Sequence, residues 1–141
     1  MGLKDQVMEL LREGREQELM QLASAEPRAL RGLTGRLWDA DPDVKRLAAR
    51  AIGVLAAAHP HVGTEFIRRV IWGLNDESAT NSADMIPALG EIAEASPELM
   101  ADFAGPLASF AEDDGLRLAI IEVLARLARR DPEQVKCLRA G

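Results

Sequence analysis

The chain has little of what disulfide-stabilised and membrane-spanning proteins need. Its 141 residues include one cysteine, no tyrosine and five other aromatic residues. Cys137 has no partner for an internal disulfide, which suits a reducing compartment. No apolar run approaches the about 18 residues of a membrane span, and residues 1–5 lead into a charged amphipathic stretch rather than a signal peptide. We expect one cytoplasmic domain over residues 1–141, without a membrane segment.

The sequence also lacks the short motifs of common enzymes. It has no glycine-rich phosphate loop, no Gly-x-Ser-x-Gly elbow and no histidine near a nucleophile. The two histidines, His59 and His61, flank Pro60 in a predicted turn, where the sequence supplies no further zinc ligands. We therefore expect no catalytic residues, no metal and no cofactor.

Basic residues are missing from the middle of the chain. Between Val70 and Leu116 there are ten acidic residues and no lysine or arginine, whereas residues 1–69 carry a net +1 and residues 117–141 a net +3. The whole chain has a net charge of -6. A broad nucleic-acid interface requires the opposite sign, so nucleic acid is a disfavoured partner.

What the sequence does contain is a repeat. A small residue followed seven positions later by proline occurs at Gly53, Gly90 and Ala125, and each lies in an apolar helical run. The runs recur after 37 and then 35 residues. A period of this length is typical of stacked helical repeats.

Apolar residues recur with helical spacing almost throughout, and no stretch shows sustained strand alternation. We predict an all-α protein, an α-solenoid of about four helical hairpins followed by a partial C-terminal helix. The second helices carry the clearer apolar stripes and require neighbouring repeats to bury them. The predicted pairs are 3–13 with 15–25, 27–38 with 42–58, 62–74 with 82–95, and 97–110 with 114–130. They divide the chain into units of about 1–26, 27–60, 61–97 and 98–132, with a tail at 133–141.

One of these second helices resembles a known family. Residues 41–53 read DPDVKRLAARAIG, with Asp41 at the turn, Val44 three residues on, Arg46 two further, then paired alanines before Gly53. This pattern resembles the second helix of a HEAT repeat, particularly the short HEAT-like repeats of proteins related to bilin lyases. The resemblance covers residues 27–132 and implies stacked hairpins whose first helices are often kinked, as Pro106 would allow.

The middle repeat departs from the others in one turn. Six residues separate Trp38 from Val44 and Phe110 from Leu116, but nine separate Trp72 from the equivalent Asn81. Longer turns in repeat arrays often lie on a binding face, although a tolerated surface insertion is the simpler alternative. The candidate binding residues are those of this irregular region: Trp72, Asn75, Asp76, Glu77, Asn81, Asp84 and Glu91.

Several of these residues also have structural interpretations. Trp38 and Trp72 hold equivalent positions at the ends of first helices, where large residues more often close a core than grip a ligand. Glu91 and Glu94 align with Arg126 and Arg129 of the next repeat. Ion pairs between adjacent second helices are therefore favoured over an acid and base pair.

Three functions follow from these features. The leading hypothesis is a non-catalytic interaction or scaffold module that binds a basic or helical protein segment through a curved helical face and the acidic middle turn. The alternative is an accessory or lyase-type enzyme with a small ligand in the solenoid groove, by analogy with bilin lyases. Nucleic-acid binding, as in HEAT-like glycosylases, has the wrong charge. The unfinished C-terminal edge is a candidate contact for an oligomer.

Overall fold

All regular secondary structure in the described residues is helical, as predicted. The structure is a computed structural model that describes residues 2–75 and 83–133. Its α-helices are α1 (Leu3–Arg12), α2 (Glu16–Ala25), α3 (Ala29–Gly35), α4 (Pro42–Ala58), α5 (Pro60–Leu74), α6 (Ile86–Ala95), α7 (Pro97–Met100), α8 (Ala104–Ala108) and α9 (Arg117–Arg130). Short 3-10 turns at Arg36–Trp38, Ala83–Met85, Ala101–Phe103 and Ser109–Glu112 extend or join them.

Local signals explain where several helices begin and end. Gly14 separates α1 from α2 and has φ of 66°, a left-handed conformation that glycine adopts without strain. Asp41 caps α4, because its carboxylate accepts a hydrogen bond from the Asp43 N–H at 2.9 Å, and Pro42 takes the first helical position. Pro60 and Pro97 likewise start α5 and α7, so α5 begins two residues before its predicted start.

The second helices of the pairs form one continuous layer. Helix α2 packs against α4, α4 against α6, and α6 against α9, while α1 packs on α3 and α5 on α7 in a looser row. The predicted stripe of α4 is buried along its whole length, and that of α9 is largely buried. Burial of these apolar faces against neighbouring helices is the main stabilising contribution.

The recurring glycines lie where successive second helices approach most closely. A β-carbon on Gly53 would lie 2.8 Å from Glu91 of α6, and one on Gly90 would lie 2.8 Å from the Arg126 guanidinium of α9. The equivalent Ala125 is exposed on α9. The repeated small residue thus permits close packing on the next second helix.

The fourth pair differs most from its predicted form. Residues 97–112 form α7, α8 and two 3-10 turns instead of one helix, because Pro106 has no N–H to bond the carbonyl one turn earlier. The next helix begins at Arg117 rather than 114, since the Asp113 carboxylate accepts a hydrogen bond from the Gly115 N–H at 2.8 Å and holds a turn there.

Within the described ranges, no helix is both long and apolar enough to cross a bilayer.

Candidate functional site

Trp72 stands out among the predicted binding residues because it projects into solvent. It lies in the last turn of α5, and 79% of its surface is exposed. The packing interpretation is therefore wrong for Trp72, although it holds for the equivalent Phe110, which packs partly buried against the core. Asn75 follows as the exposed C-cap residue of α5. Together they form a surface at the end of this helix.

Three predicted binding residues, Asp76, Glu77 and Asn81, lie outside the described residues, as does Cys137. The structure places the flanking residues only. Asp84 follows in a 3-10 turn that precedes α6, and Pro87 stands in the first turn of that helix. Helix α6 therefore begins at Ile86, four residues after its predicted start at 82.

Asp84 is engaged by the neighbouring second helix. Its Oδ1 atom lies 3.4 Å from the Lys45 Nζ of α4, and both side chains are about two-fifths exposed. The pair spans the junction between α4 and the start of α6. Asp84 is thus held on the side of the protein where the second helices meet.

Glu91 and Glu94 form the ion pairs that the repeat alignment predicts. Arg126 donates from Nη2 to Glu91 Oε2 at 2.9 Å and from Nε to Glu94 Oε1 at 3.2 Å, and Arg129 Nη2 lies 3.8 Å from the same Glu94 oxygen. Burial lowers the pKa of Arg126, but the hydrogen bonds and charges of the two carboxylates outweigh it and raise the pKa above its ordinary value. The Glu91 carboxylate is therefore paired with Arg126.

A similar ion pair joins the first two second helices, because Arg50 of α4 donates to Glu16 of α2. Each junction in the second-helix layer therefore carries at least one pair of opposite charges. From the sequence alone, these acidic side chains could have been available to a basic partner. In the structure, the ion pairs neutralise them. Among the described candidates, Trp72 and Asn75 are the ones left facing solvent.

A groove with a partly apolar lining lies elsewhere in the described residues, between α3 and α5. It has a volume of about 880 Å³, and α3 makes hardly any contact with α5. Its apolar lining includes Leu30, Trp38, Val62, Phe66 and Met85; its charged lining includes Arg28, Arg31, Glu65 and Arg69. The sequence did not predict this groove. The feature that pointed toward it was the low helix propensity of Gly32 and Gly35, which lie within the predicted helix 27–38.

The groove also contains His61, whereas the ring of His59 bonds the Ser24 carbonyl oxygen at 2.9 Å. Across residues 2–75 and 83–133, no group of three or more histidine, cysteine, aspartate or glutamate side chains is arranged to hold a metal ion. Nor does any buried side-chain nitrogen or oxygen in these ranges lack a hydrogen-bond partner.

Comparison with protein-family models, with curated proteins and with solved structures found no match to this chain.

Proposed function

We propose that this protein is a non-catalytic interaction module, an α-solenoid of HEAT-like hairpins that binds a basic or helical segment of another protein. The contact surface is the end of α5 and the acidic turn that follows it. It includes Trp72, Asn75, Asp76 and Glu77. The packing of α2, α4, α6 and α9 in chain order supports the solenoid part of the proposal.

The observation that carries the proposal is the exposure of Trp72. An indole that is 79% exposed contributes little to the core, yet tryptophan is among the residues that dominate binding energy when a partner buries them. Two acidic residues follow within five positions, in a region without lysine or arginine. This combination of an aromatic anchor and negative charge favours a cationic amphipathic partner.

The second-helix layer supplies rigidity in this proposal. Its carboxylates at Asp84 and Glu91 are paired with Lys45 and Arg126, so they hold the scaffold that positions α5. Within the predicted binding set, these two residues therefore form ion pairs that stabilise the scaffold. The residues that contact the partner lie at the end of α5.

The test is a selection of random displayed peptides on the intact protein, at low and at high salt. We expect an enriched class rich in lysine and arginine whose binding is lost with Trp72→Ala and with the double variant Asp76→Lys, Glu77→Lys. The matched control is Asp5→Lys with Glu9→Lys, which changes the net charge equally on the exposed side of α1. Equal losses in both double variants, or basic peptides indifferent to Trp72→Ala, would contradict the proposal.

A further inference from the structure

The groove between α3 and α5 has a chemistry unlike that of the rest of the chain. Its floor is apolar, formed by Leu30, Val62, Phe66 and Met85, and Trp38 stands at its side with 44% of its surface exposed. Apolar surface rimmed by polar residues often marks a site of protein interaction. The groove is separate from the end of α5, because Trp72 does not line it.

The rim of the groove is cationic. Three guanidinium groups line it, from Arg28, Arg31 and Arg69, against one carboxylate, Glu65. Arg68 donates to Glu65 at 2.7 Å, which neutralises that carboxylate. Glu26 likewise holds Arg28 through hydrogen bonds of 3.2 and 3.4 Å. The groove thus keeps the positive charges of Arg31 and Arg69, neither of which forms an ion pair with any described residue.

A smaller groove on the other side of α3 extends the positive surface. It has a volume of about 300 Å³ between α1 and α3, and its cationic lining is Lys4, Arg28, Arg31 and Arg36. Arg36 pairs with Asp39 at 3.3 Å, so Lys4 is the cation that this groove adds. Arg28, Arg31 and Gly35 line both grooves. In a protein with a net charge of -6, Lys4, Arg31 and Arg69 therefore form a local group of cations that make no ion pair with the described residues.

We propose that the α3–α5 groove is a second docking surface, one that binds an acidic amphipathic peptide segment of a partner protein. An apolar side chain of the segment packs on Phe66 and Met85 beside Trp38. Its carboxylates lie at Arg31 and Arg69, with which guanidinium groups form bidentate hydrogen bonds. The sign of the preferred partner is opposite to that at the end of α5, so the two surfaces distinguish their ligands by charge.

A peptide fits these observations better than a nucleic acid does. The groove floor is apolar and accommodates an apolar side chain, which a phosphate backbone does not supply. Two guanidinium groups without an ion pair also offer few phosphate contacts, whereas nucleic-acid affinity grows with their number.

Gly35 provides a sharp test, because it lines both grooves and a β-carbon there would meet no atom within 4 Å. Its backbone is helical, with φ of -62°, so other residues fit without strain. Gly35→Glu places a carboxylate in the binding surface while leaving the fold intact. The matched control is Gly105→Glu on α8, where a β-carbon is equally free of contacts.

The experiment selects random displayed peptides on the intact protein and sequences those lost in each variant. We expect a class rich in aspartate and glutamate that weakens by about tenfold or more in Gly35→Glu and in the double variant Arg31→Glu, Arg69→Glu. The same class should bind Gly105→Glu and Trp72→Ala unchanged. The readout in solution is quenching of Trp38 emission by the selected acidic peptide in the Trp72→Phe background, since the chain has two tryptophans.

Three results would overturn this assignment. One is that no selected peptide depends on Gly35, and another is that the Gly35-dependent peptides are neutral or basic. The third is that a single-stranded oligothymidine binds the groove more tightly than the selected acidic peptides. Each leaves the Trp72-dependent basic peptides unaffected, so failure of this assignment is distinguishable from failure of the function proposed at the end of α5.

Discussion

Gly53 on α4 faces the backbone of Glu91 on α6 so closely that no β-carbon fits between them. An added β-carbon would lie 2.8 Å from both the Cβ and the carbonyl oxygen of Glu91 and 2.9 Å from its carbonyl carbon. Because two of these atoms belong to the backbone, α4 and α6 would have to move apart to relieve the contact.

Replacement of Gly53 by alanine should therefore destabilise the protein. Overpacking at a close helix contact costs about 1–3 kcal/mol, and a helix-propensity gain of about 1 kcal/mol offsets only part of it. Gly35→Ala is the control, because it has the same chemistry in open space and should raise the free energy of unfolding by about 0.5–1 kcal/mol. Urea denaturation of the two variants should show shifts of opposite sign, and shifts of the same sign would refute the packing explanation.

The Arg126 ion pairs should contribute more than an exposed pair does. Arg126 and Glu91 have side chains only 20% and 22% exposed, whereas those of Arg68 and Glu65 are 61% and 53% exposed. A double-mutant cycle with Glu91→Gln and Arg126→Gln should give a coupling free energy of about 1–2 kcal/mol. The cycle at Arg68 and Glu65 should give less than about 0.5 kcal/mol. Equal coupling in the two cycles would contradict the role of partial burial.

The Glu98 carboxylate should make stability depend on pH in the acid range. The hydroxyl of buried Ser96 donates to Glu98 Oε1 at 2.6 Å, and this bond, a backbone N–H and the charge of Arg130 lower the pKa of Glu98. A carboxylate with a lowered folded-state pKa contributes stability that is complete above its unfolded-state pKa, about 4.3. That stability is lost as the pH falls through the folded-state value.

Urea denaturation at several pH values provides the measurement. Glu98→Gln should be less stable than the parent protein at neutral pH, and the difference should shrink as the pH falls below about 4. Ser96→Ala removes the leading hydrogen bond, so the additional effect of Glu98→Gln in that background should be smaller. A difference that stays constant with pH would show that Glu98 acts through packing alone.

Trp72 should be dispensable for folding. Because its side chain is largely exposed, Trp72→Ala should change the free energy of unfolding by less than about 0.5 kcal/mol. Phe66 lies in the same helix and is only 3% exposed, so Phe66→Ala should lower the free energy of unfolding by about 3–5 kcal/mol. Thermal denaturation followed by circular dichroism distinguishes them, and a large loss in Trp72→Ala would restore the packing interpretation of this residue.

Much of the helix layout was predictable because its signals are local. The capping carboxylate of Asp41, the left-handed Gly14 and the helix-starting prolines act within a few residues of their own positions. Alignment of the repeats also predicted the pairing of Glu91 with Arg126, since equivalent positions on adjacent second helices face each other. Such relations require only helical periodicity and a constant repeat length.

The exposure of Trp72 and the α3–α5 groove were not predictable in this way. Repeat alignment assigns Trp72 the position of Phe110, but the burial of a side chain depends on which neighbouring helices reach it. The groove arises from the separation of α3 from α5, which is a tertiary distance. Helix α3 ends at Gly35, but the sequence does not determine how far α3 lies from α5.

The central position of α4 predicts that this helix opens only when the whole molecule unfolds. This helix packs against α1, α2, α3, α5 and α6, and its apolar face is fully buried. Opening its hydrogen bonds therefore requires the loss of contacts on several sides at once, whereas α1 and α9 have fewer neighbours. Amide protons of Ala51, Ile52 and Leu55 should exchange with solvent most slowly and report the free energy of global unfolding.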